Sequence, residues 1–532
     1  MIKLRNYQGD AVAKIRDCFV RLINYILLVL PTGGGKTVVF TYMSQQAALK
    51  DKKTLILVHR IELLRQTSKA LLDFNVEHGM INPLFTPNFD TRVQVASIQT
   101  IIKRLNYFAA ANWIPDVIIV DEAHHATAGS WRKTINHFKD LNPEIKVIGV
   151  TATPVRTDGQ GLGVHHNGIF EELVSGPSVK WLQDEGFLVK AKVLSPPKQF
   201  AAPKKKAKGD WNARDLENLV NKATITGDAV SHYEEVCQGK KLPAIVFCVS
   251  VPHTEEVAQA FRDKGYRFYA IDGTTDDDVR KRVLGGLADG TVDGVCSCDL
   301  ISEGTDVPKA TVAVMLRPTQ SLSLAIQQWG RVLRPVYAPG FDLNTREGRL
   351  AAIAFSDKPF AYILDHVGNV GNWVDGEFLE NHGLPDKLHE WSLDGEVKNK
   401  SKKGPKEIAV RVQQCLSCFA VHEPSPVCPD CGHVYEVKDS KPKQVEGELL
   451  EVSSEAIKAF KKAKTLEVGM AESLEDLQKI AMDRGYNEAW IGVQYKMKKQ
   501  RFEAVARRKS EREALIPPPP AQVNEWEEEI NW

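Results

Sequence analysis

Short apolar runs alternate with stretches of helical spacing along the first part of the chain. Residues 25–30, 54–58, 117–120 and 147–150 are each almost wholly apolar and each give way to a polar or glycine-rich turn. That is the pattern of strands buried on both faces. Apolar residues at helical intervals over 39–49 and 61–72 fall between them, so the spacing predicts a strand-helix alternation and a doubly wound parallel sheet. A lysine-rich break at 203–209 reads as a solvated loop. Beyond it a second alternation begins, with strands expected at 244–248, 267–271, 294–297 and 311–316 and a helix at 254–264. The periodicity weakens after Asn369, passes a second lysine-rich stretch (Lys398, Lys400, Lys402, Lys403, Lys406), and becomes helical again over 453–513. Pro517, Pro518, Pro519 and Pro520 stop any helix, and the end, NEWEEEINW, reads as a disordered acidic tail.

This pattern divides the chain into a first lobe (1–200), a second lobe (201–375), a basic connector (376–410), a cysteine-rich module (411–436), a helical region (450–513) and a tail (514–532). A length of 532 residues suits several compact units rather than one core. The net charge of +1 supplies no global field, so a polyanionic partner would have to be met by local patches. The N-terminus lacks signal-peptide character, and no apolar run reaches membrane-spanning length. The expectation is a soluble protein of the cytoplasm, associated with the nucleoid if the source is bacterial. Four of the nine cysteines fall between positions 415 and 431, which suits metal binding in a reducing compartment better than disulfides.

The chemistry sits at strand ends. PTGGGKT (Pro31, Thr32, Gly33, Gly34, Gly35, Lys36, Thr37) follows the first apolar strand and opens a helix. Glycines there let backbone N–H groups wrap phosphate oxygens, Lys36 reaches the terminal phosphates, and Thr37 can hold Mg²⁺. Leu30 stands where the full phosphate-loop pattern has its first glycine. DEAH at 121–124 ends another strand; Asp121 can position Mg²⁺ and Glu122 can orient or deprotonate an attacking water.

PTGGGKT, DEAH and TATP (151–154), in that order and each after a strand, resemble motifs I, II and III of superfamily 2 helicases. LRNYQ (4–8) is similar to the adenine-reading element and LVHRIELLRQ (57–66) to motif Ia. IVFCVS (245–250), SEGTDVP (302–308) and QQWGRVLRP (327–335) resemble motifs IV, V and VI. The resemblance covers about residues 1–370 and implies two RecA-like lobes that hydrolyse ATP between them. It implies that Arg5 and Gln8 contact the base or the ATP pocket, and that Arg60, Gln99 and Thr100 line a nucleic-acid strand. It further implies that Gly304 and Asp306 serve the ribose or the strand, and that Gln327, Arg331 and Arg334 face the phosphates, one arginine acting as a finger. The i, i+3 spacing of Arg331 and Arg334 would put both on one face if the segment is helical.

TATP and QQWGR, in place of SAT and HRxGR, resemble the DNA-directed RadD-like group, whose members also carry a cysteine-rich region behind the motor. DNA, single-stranded or branched, is the expected partner, in repair, recombination or replication. An RNA-directed remodeller and a non-hydrolysing adaptor are the alternatives, and the retained Lys36, Glu122, Arg331 and Arg334 argue against decay. Cys415-x2-Cys418 and Cys428-x2-Cys431 have the spacing of two knuckles that offer four thiolates to one structural Zn²⁺. Pro385, Asp386, Glu396 and Lys398 mimic a metal-dependent nuclease motif but lack its flanking elements, so no nuclease is assigned. The helical region, with GYNEAWIGVQYK at 485–496, reads first as a bundle; together with the acidic tail it is where a protein partner would dock.

Overall fold

The computed structural model describes residues 3–83, 87–127, 129–155, 161–195, 223–298, 307–374 and 377–394. Beyond these it describes the short segments 413–414, 421–422, 450–451, 471, 473–484, 491–492 and 494–496. Two RecA-like sheets stand in tandem within one compact unit. The first contains β1 (Tyr25–Val29), β2 (Thr54–Val58), β3 (His78–Ile81), β4 (Val93–Ser97), β5 (Val117–Asp121), β6 (Lys146–Thr151) and β7 (Glu172–Ser175). Their order is β3-β4-β2-β5-β6-β1-β7, and every pairing is parallel.

The second sheet contains β8 (Ala191–Ser195), β9 (Ala244–Phe247), β10 (Phe268–Ile271), β11 (Gly294–Ser297), β12 (Val312–Met315) and β13 (Ala361–Asp365). Its order is β10-β11-β9-β12-β13-β8, again parallel, with the two-residue strand Leu450–Glu451 antiparallel to β8 at the edge. Parallel strands need crossover connections, which here are helices such as Lys36–Ala48, Ile61–Asp73 and Val251–Asp263. Helices on both faces explain why the strands read as unbroken apolar runs: β2 and β9 are buried at every position.

The strands expected from the apolar runs are all present, within a residue or two at each end. Others are not apolar enough to be read. β4 carries Gln94, buried because its amide donates to Thr91 Oγ1 at 2.9 Å; β7 lies at the sheet edge with a mixed pattern. The boundary expected at 200 falls after β8, which pairs with β13 and so belongs to the second sheet. An apolar strand does not advertise which sheet it will join, so the crossover between lobes lies earlier, just after the helix Val179–Asp184.

Downstream of β13 the chain returns to the first lobe. Gly163 N donates to Leu393 O at 2.9 Å, Trp391 and Leu393 pack against the first core, and a Cβ on Gly161 would lie 2.0 Å from Leu393 O. Only glycine admits so close a backbone approach. Pro385 and Asp386 lie in the turn leading there, while Glu396 and Lys398 are outside the described residues. A second compact unit takes in 454–532; its described helix, Leu474–Arg484, packs Leu477 and Ile480 with Ala471 and Ile491. Among the described residues no helix is long and apolar enough to cross a membrane.

Candidate active site between the lobes

Because β5, β6 and β1 are adjacent and parallel, the segments that follow them emerge at one edge of the first sheet. Ligands of open α/β sheets bind at the carboxyl ends of the strands. The loop after β1 carries the glycines, the loop after β5 the acidic pair, and the loop after β6 the sequence TATP. Gly33 and Gly35 have φ of +81° and +83°, a conformation that side chains resist. Gly35 is also shut in: a Cβ there would sit 2.3 Å from Gln8 Nε2. Lys36 and Thr37 open the following helix, whose first N–H groups have no intrahelical acceptors, a position that suits an anion.

Lys36 Nζ lies 3.2 Å from Glu122 Oε1, and both side chains are largely buried. Glu122 adopts φ +47°, the left-handed region, where a non-glycine residue is held at a cost of about 1–2 kcal/mol by its surroundings. That backbone turn aims its carboxylate back at the phosphate loop. Its Oε2 lies 3.4 Å from His124 Nδ1, which is 3.2 Å from Thr151 Oγ1. Thr151 Oγ1 in turn donates to Thr153 O at 3.0 Å, and the Thr153 hydroxyl makes a short hydrogen bond with Ser323 of the second lobe. A continuous polar chain thus runs from Glu122 to the helix Leu322–Gly330.

Burial and the neighbouring Glu122 raise Asp121 to about 6, against the pull of Lys36 and His59. A buried acidic pair with a threonine at the adjacent helix start is a hard-oxygen donor set that suits Mg²⁺, whose charge would favour the ionised carboxylate. Thr37 and Asp121 therefore fit the metal role.

Arg5 and Gln8, expected at the base or the ATP pocket, stand beside the loop. Arg5 is the N-cap of the helix Asn6–Val20, and its N–H donates to Gln8 Oε1 at 3.0 Å. Tyr7 Oη donates to Gly34 O at 3.0 Å and Gln8 Nε2 approaches the same carbonyl at 3.4 Å. Gln8 is buried and braces the phosphate loop. Tyr7, part of the LRNYQ element but not singled out within it, shares that task.

The second lobe meets the loop through its helix Leu322–Gly330. A Cβ on Gly330 would lie 2.5 Å from Thr32 Cβ, and Arg334 Cγ is 3.7 Å from a Cβ built on Gly33. Gln327 and Arg331 are buried and Arg334 is half-buried, and loss of solvent around the Arg334 guanidinium lowers it to about 10, still a cation at neutral pH. The condition for a shared helical face of the two arginines, a helical segment, is not met. The helix ends at Gly330, Arg331 caps it, and Arg334 lies beyond the turn. Pro335 supplies the reason, since the residue before a proline is biased away from helical conformation. Lys358, for which the sequence holds no signal, is buried nearby; its Nζ donates to Pro308 O at 2.7 Å and Ala310 O at 2.5 Å. Burial and the Arg334 charge hold its amine well below the usual lysine range.

Arg60, Gln99 and Thr100 are brought together on the first lobe. Gln99 donates through Nε2 to His59 O at 2.7 Å and accepts through Oε1 from Ser97 Oγ at 3.1 Å, and Ser97 Oγ also meets Thr100 Oγ1 at 3.3 Å. Arg60 caps the helix Ile61–Asp73 and reaches His59 Nε2 at 3.3 Å. Thr100 is buried, so its hydroxyl fixes this loop more than it presents a surface. Gly304, Asp306, Cys415, Cys418, Cys428 and Cys431 lie outside the described residues.

Comparison with known proteins adds to this geometry. The family described as type III restriction enzyme, res subunit, matches residues 1–156, and the helicase conserved C-terminal domain matches residues 228–336. A 51.5 kDa protein of a Lactococcus phage is 30% identical over 432 residues, spanning 80% of this chain and 82% of the phage protein. The putative ATP-dependent helicase IRC3 of Saccharomyces cerevisiae is 33% identical over 355 residues, 62% of this chain and 49% of that protein. The chain thus spans only about half the length of the yeast relative. The DNA 3'-5' translocase XPB2 of Sulfurisphaera tokodaii is 25% identical over 377 residues, 63% of this chain and 79% of that protein.

Proposed function

The chain belongs to the superfamily 2 helicases, ATP-hydrolysing motors, and from that premise we propose that it couples hydrolysis to movement along DNA in the cytoplasm, in repair, recombination or replication. The observation that carries the coupling is the seating of Gly330 and Arg334 of the second lobe against Thr32 and Gly33 of the phosphate loop. Lys36 would exchange its Glu122 partner for the terminal phosphates, leaving that carboxylate to orient the attacking water and accept its proton. Arg331 and Arg334 would stabilise charge developing on the transferred phosphoryl group, which they can reach only while the lobes are together. Thr37 and Asp121 would hold Mg²⁺, which would neutralise charge on the phosphate oxygens.

DNA is favoured over RNA by the TATP and QQWGR forms of motifs III and VI and by the similarity to a protein named as a DNA translocase. Arg60, Gln99 and Thr100 are assigned to the strand-binding loop of the first lobe, and Gly304 and Asp306 of the second lobe to the ribose or the strand. ATPase turnover measured with single-stranded, forked and duplex DNA and with RNA of matched length tests this. DNA should stimulate hydrolysis by at least about tenfold, and Lys36→Ala should abolish it with every ligand. Stimulation by RNA alone would replace DNA with RNA, and full activity of Lys36→Ala would remove the phosphate-loop assignment.

Cys415, Cys418, Cys428 and Cys431 are assigned to one structural Zn²⁺ on the strength of their spacing. Elemental analysis should find about one zinc per chain, lost when Cys428 and Cys431 become serine, with basal ATPase kept because the motor has its own cores. Freshly purified protein without zinc would remove the module.

A further inference from the structure

Three consecutive residues of the crossover between lobes, Phe187, Leu188 and Val189, touch three different parts of the active site. Leu188 packs on the phosphate loop, its Cδ2 lying 2.8 Å from a Cβ built on Gly33. Val189 N donates to Leu333 O at 2.9 Å, one residue before Arg334. The Phe187 ring lies under two guanidinium groups from opposite ends of the fold, Arg5 at 4.5 Å and Arg349 at 4.0 Å from its centroid. Tyr7 and Trp181 complete the aromatic cluster at 5.3 and 6.2 Å.

The two arginines differ in how they are held. Arg349, on the helix Arg346–Ala354, is buried and fixed on every nitrogen: Nε donates to Glu185 O, Nη1 to Leu343 O and Asn344 O, and Nη2 to Glu185 Oε2. Tyr337 Oη ties the adjacent Gly186 O to the same lobe at 2.6 Å. Phe187 is therefore fastened to the second lobe. Arg5 is held through Tyr7, whose hydroxyl accepts from Arg5 Nη1 at 3.3 Å and donates to Gly34 O. A line of contact runs from Arg349 through Phe187 to Arg5 and Tyr7, and so to the phosphate loop. Cation–π contact with an aromatic face fixes a guanidinium in one plane, which suits a group that must lie against a flat base.

We infer that Phe187 is a positioning residue for nucleotide recognition: clamped by Arg349, it sets the plane of Arg5, so that selection of the adenine base depends on the second lobe. The inference rests on the reading of Arg5 and Gln8 as base-facing residues of an ATP site.

The test is a KM-against-kcat split with two nucleotides. Phe187→Leu keeps an apolar side chain and removes the ring. KM for ATP should rise about tenfold while kcat at saturating ATP stays within about twofold, because binding common to ground and transition states is lost. The ratio of kcat/KM for ATP to that for GTP should fall about tenfold. Arg349→Lys, which keeps the charge and loses the planar fork, should move the ratio in the same direction although its own contacts are with the second lobe and the crossover. If Phe187→Leu is not recovered folded, Arg349→Lys decides alone. A lowered melting temperature with an unchanged ATP-to-GTP ratio in both variants would make the cluster simple packing and overturn the inference. Hydrolysis surviving Lys36→Ala would instead overturn the ATP-site reading beneath it.

Discussion

The two lobes share one sheet architecture but prepare their chemistry in opposite ways. In the first lobe the reactive groups stand directly at strand ends and are already joined, Lys36 to Glu122 and Glu122 to His124. In the second they stand after a helix has ended, on Arg331 and Arg334, and Gly330 and Arg334 are set close against Thr32 and Gly33 of the first lobe. The second lobe also holds buried ionisable groups away from the nucleotide. Lys358 pins the carbonyls of Pro308 and Ala310, and Asp365 accepts from the N–H groups of Asn369 and Val370 at 3.0 and 2.7 Å. A self-contained binding edge tolerates a mobile partner. Cations that must arrive at one place from another sheet need a stiff support, and a buried, fully bonded polar group provides one.

The largest expected effect breaks the second lobe's part alone. Arg334→Ala should reduce kcat by about 10²–10³-fold, the range seen when a charge-stabilising group is lost from a transition state. Nucleotide affinity, which the first lobe supplies, should change by no more than about threefold. Nucleic acid should no longer stimulate the residual rate. Binding of a fluorescent ATP analogue beside steady-state turnover separates the two. Normal stimulated turnover would make Arg334 a surface residue and dissolve the asymmetry.

A smaller effect tests the seam itself. At Gly330 an added methyl would meet Thr32 at 2.5 Å, so Gly330→Ala must push the lobes apart or distort the phosphate loop. Overpacking costs about 1–3 kcal/mol, which predicts a fall in turnover of about tenfold with the melting temperature of each lobe nearly kept. Unchanged turnover would mean that the lobes need not close this tightly to react.

The same asymmetry decided what could be read from the chain. PTGGGKT, DEAH and TATP were legible because each follows an apolar strand directly, where spacing along the chain and position in space coincide. The order of motifs points to the second lobe too, yet i, i+3 spacing alone does not tell whether Arg331 and Arg334 share a helix, and the helix ends at Gly330. Tyr7, Phe187, Ser323, Arg349 and Lys358 gave no signal of their own. Their roles come from contacts between residues far apart in the chain, and singly they look like an apolar core residue, a helix cap neighbour or a surface charge. The return of Leu393 to Gly161 and Gly163 was hidden for the same reason: a glycine that admits a distant backbone looks like any turn.

The smallest expected effect sharpens the contrast in buried charge. His366 lies beside Asp365, is stacked on His232 with ring centroids 5.1 Å apart, and is pushed down by burial to about 3 from an ordinary 6.5. The unfolded chain therefore takes up a proton below pH 6.5 that the folded lobe refuses, and stability due to this group is complete above 6.5 and lost as pH falls towards 3. Asp365 works the other way. Burial raises it to about 6 from 3.8, so between those values the folded form holds the extra proton and this group favours folding as pH falls. The two slopes oppose each other between about pH 4 and 6, and a wild-type profile alone would conceal both. His366→Phe removes one of them while keeping a ring against His232. Near pH 7.5 the variant should lie within about 1 kcal/mol of the wild type. By pH 5.5, one unit below the free imidazole value, the difference should have shifted in the variant's favour by about 1.4 kcal/mol. Denaturation of the full chain at both pH values reads the shift. A gap that does not change with pH would mean that His366 binds its proton alike in the folded and the unfolded chain, and that burial does not hold it neutral.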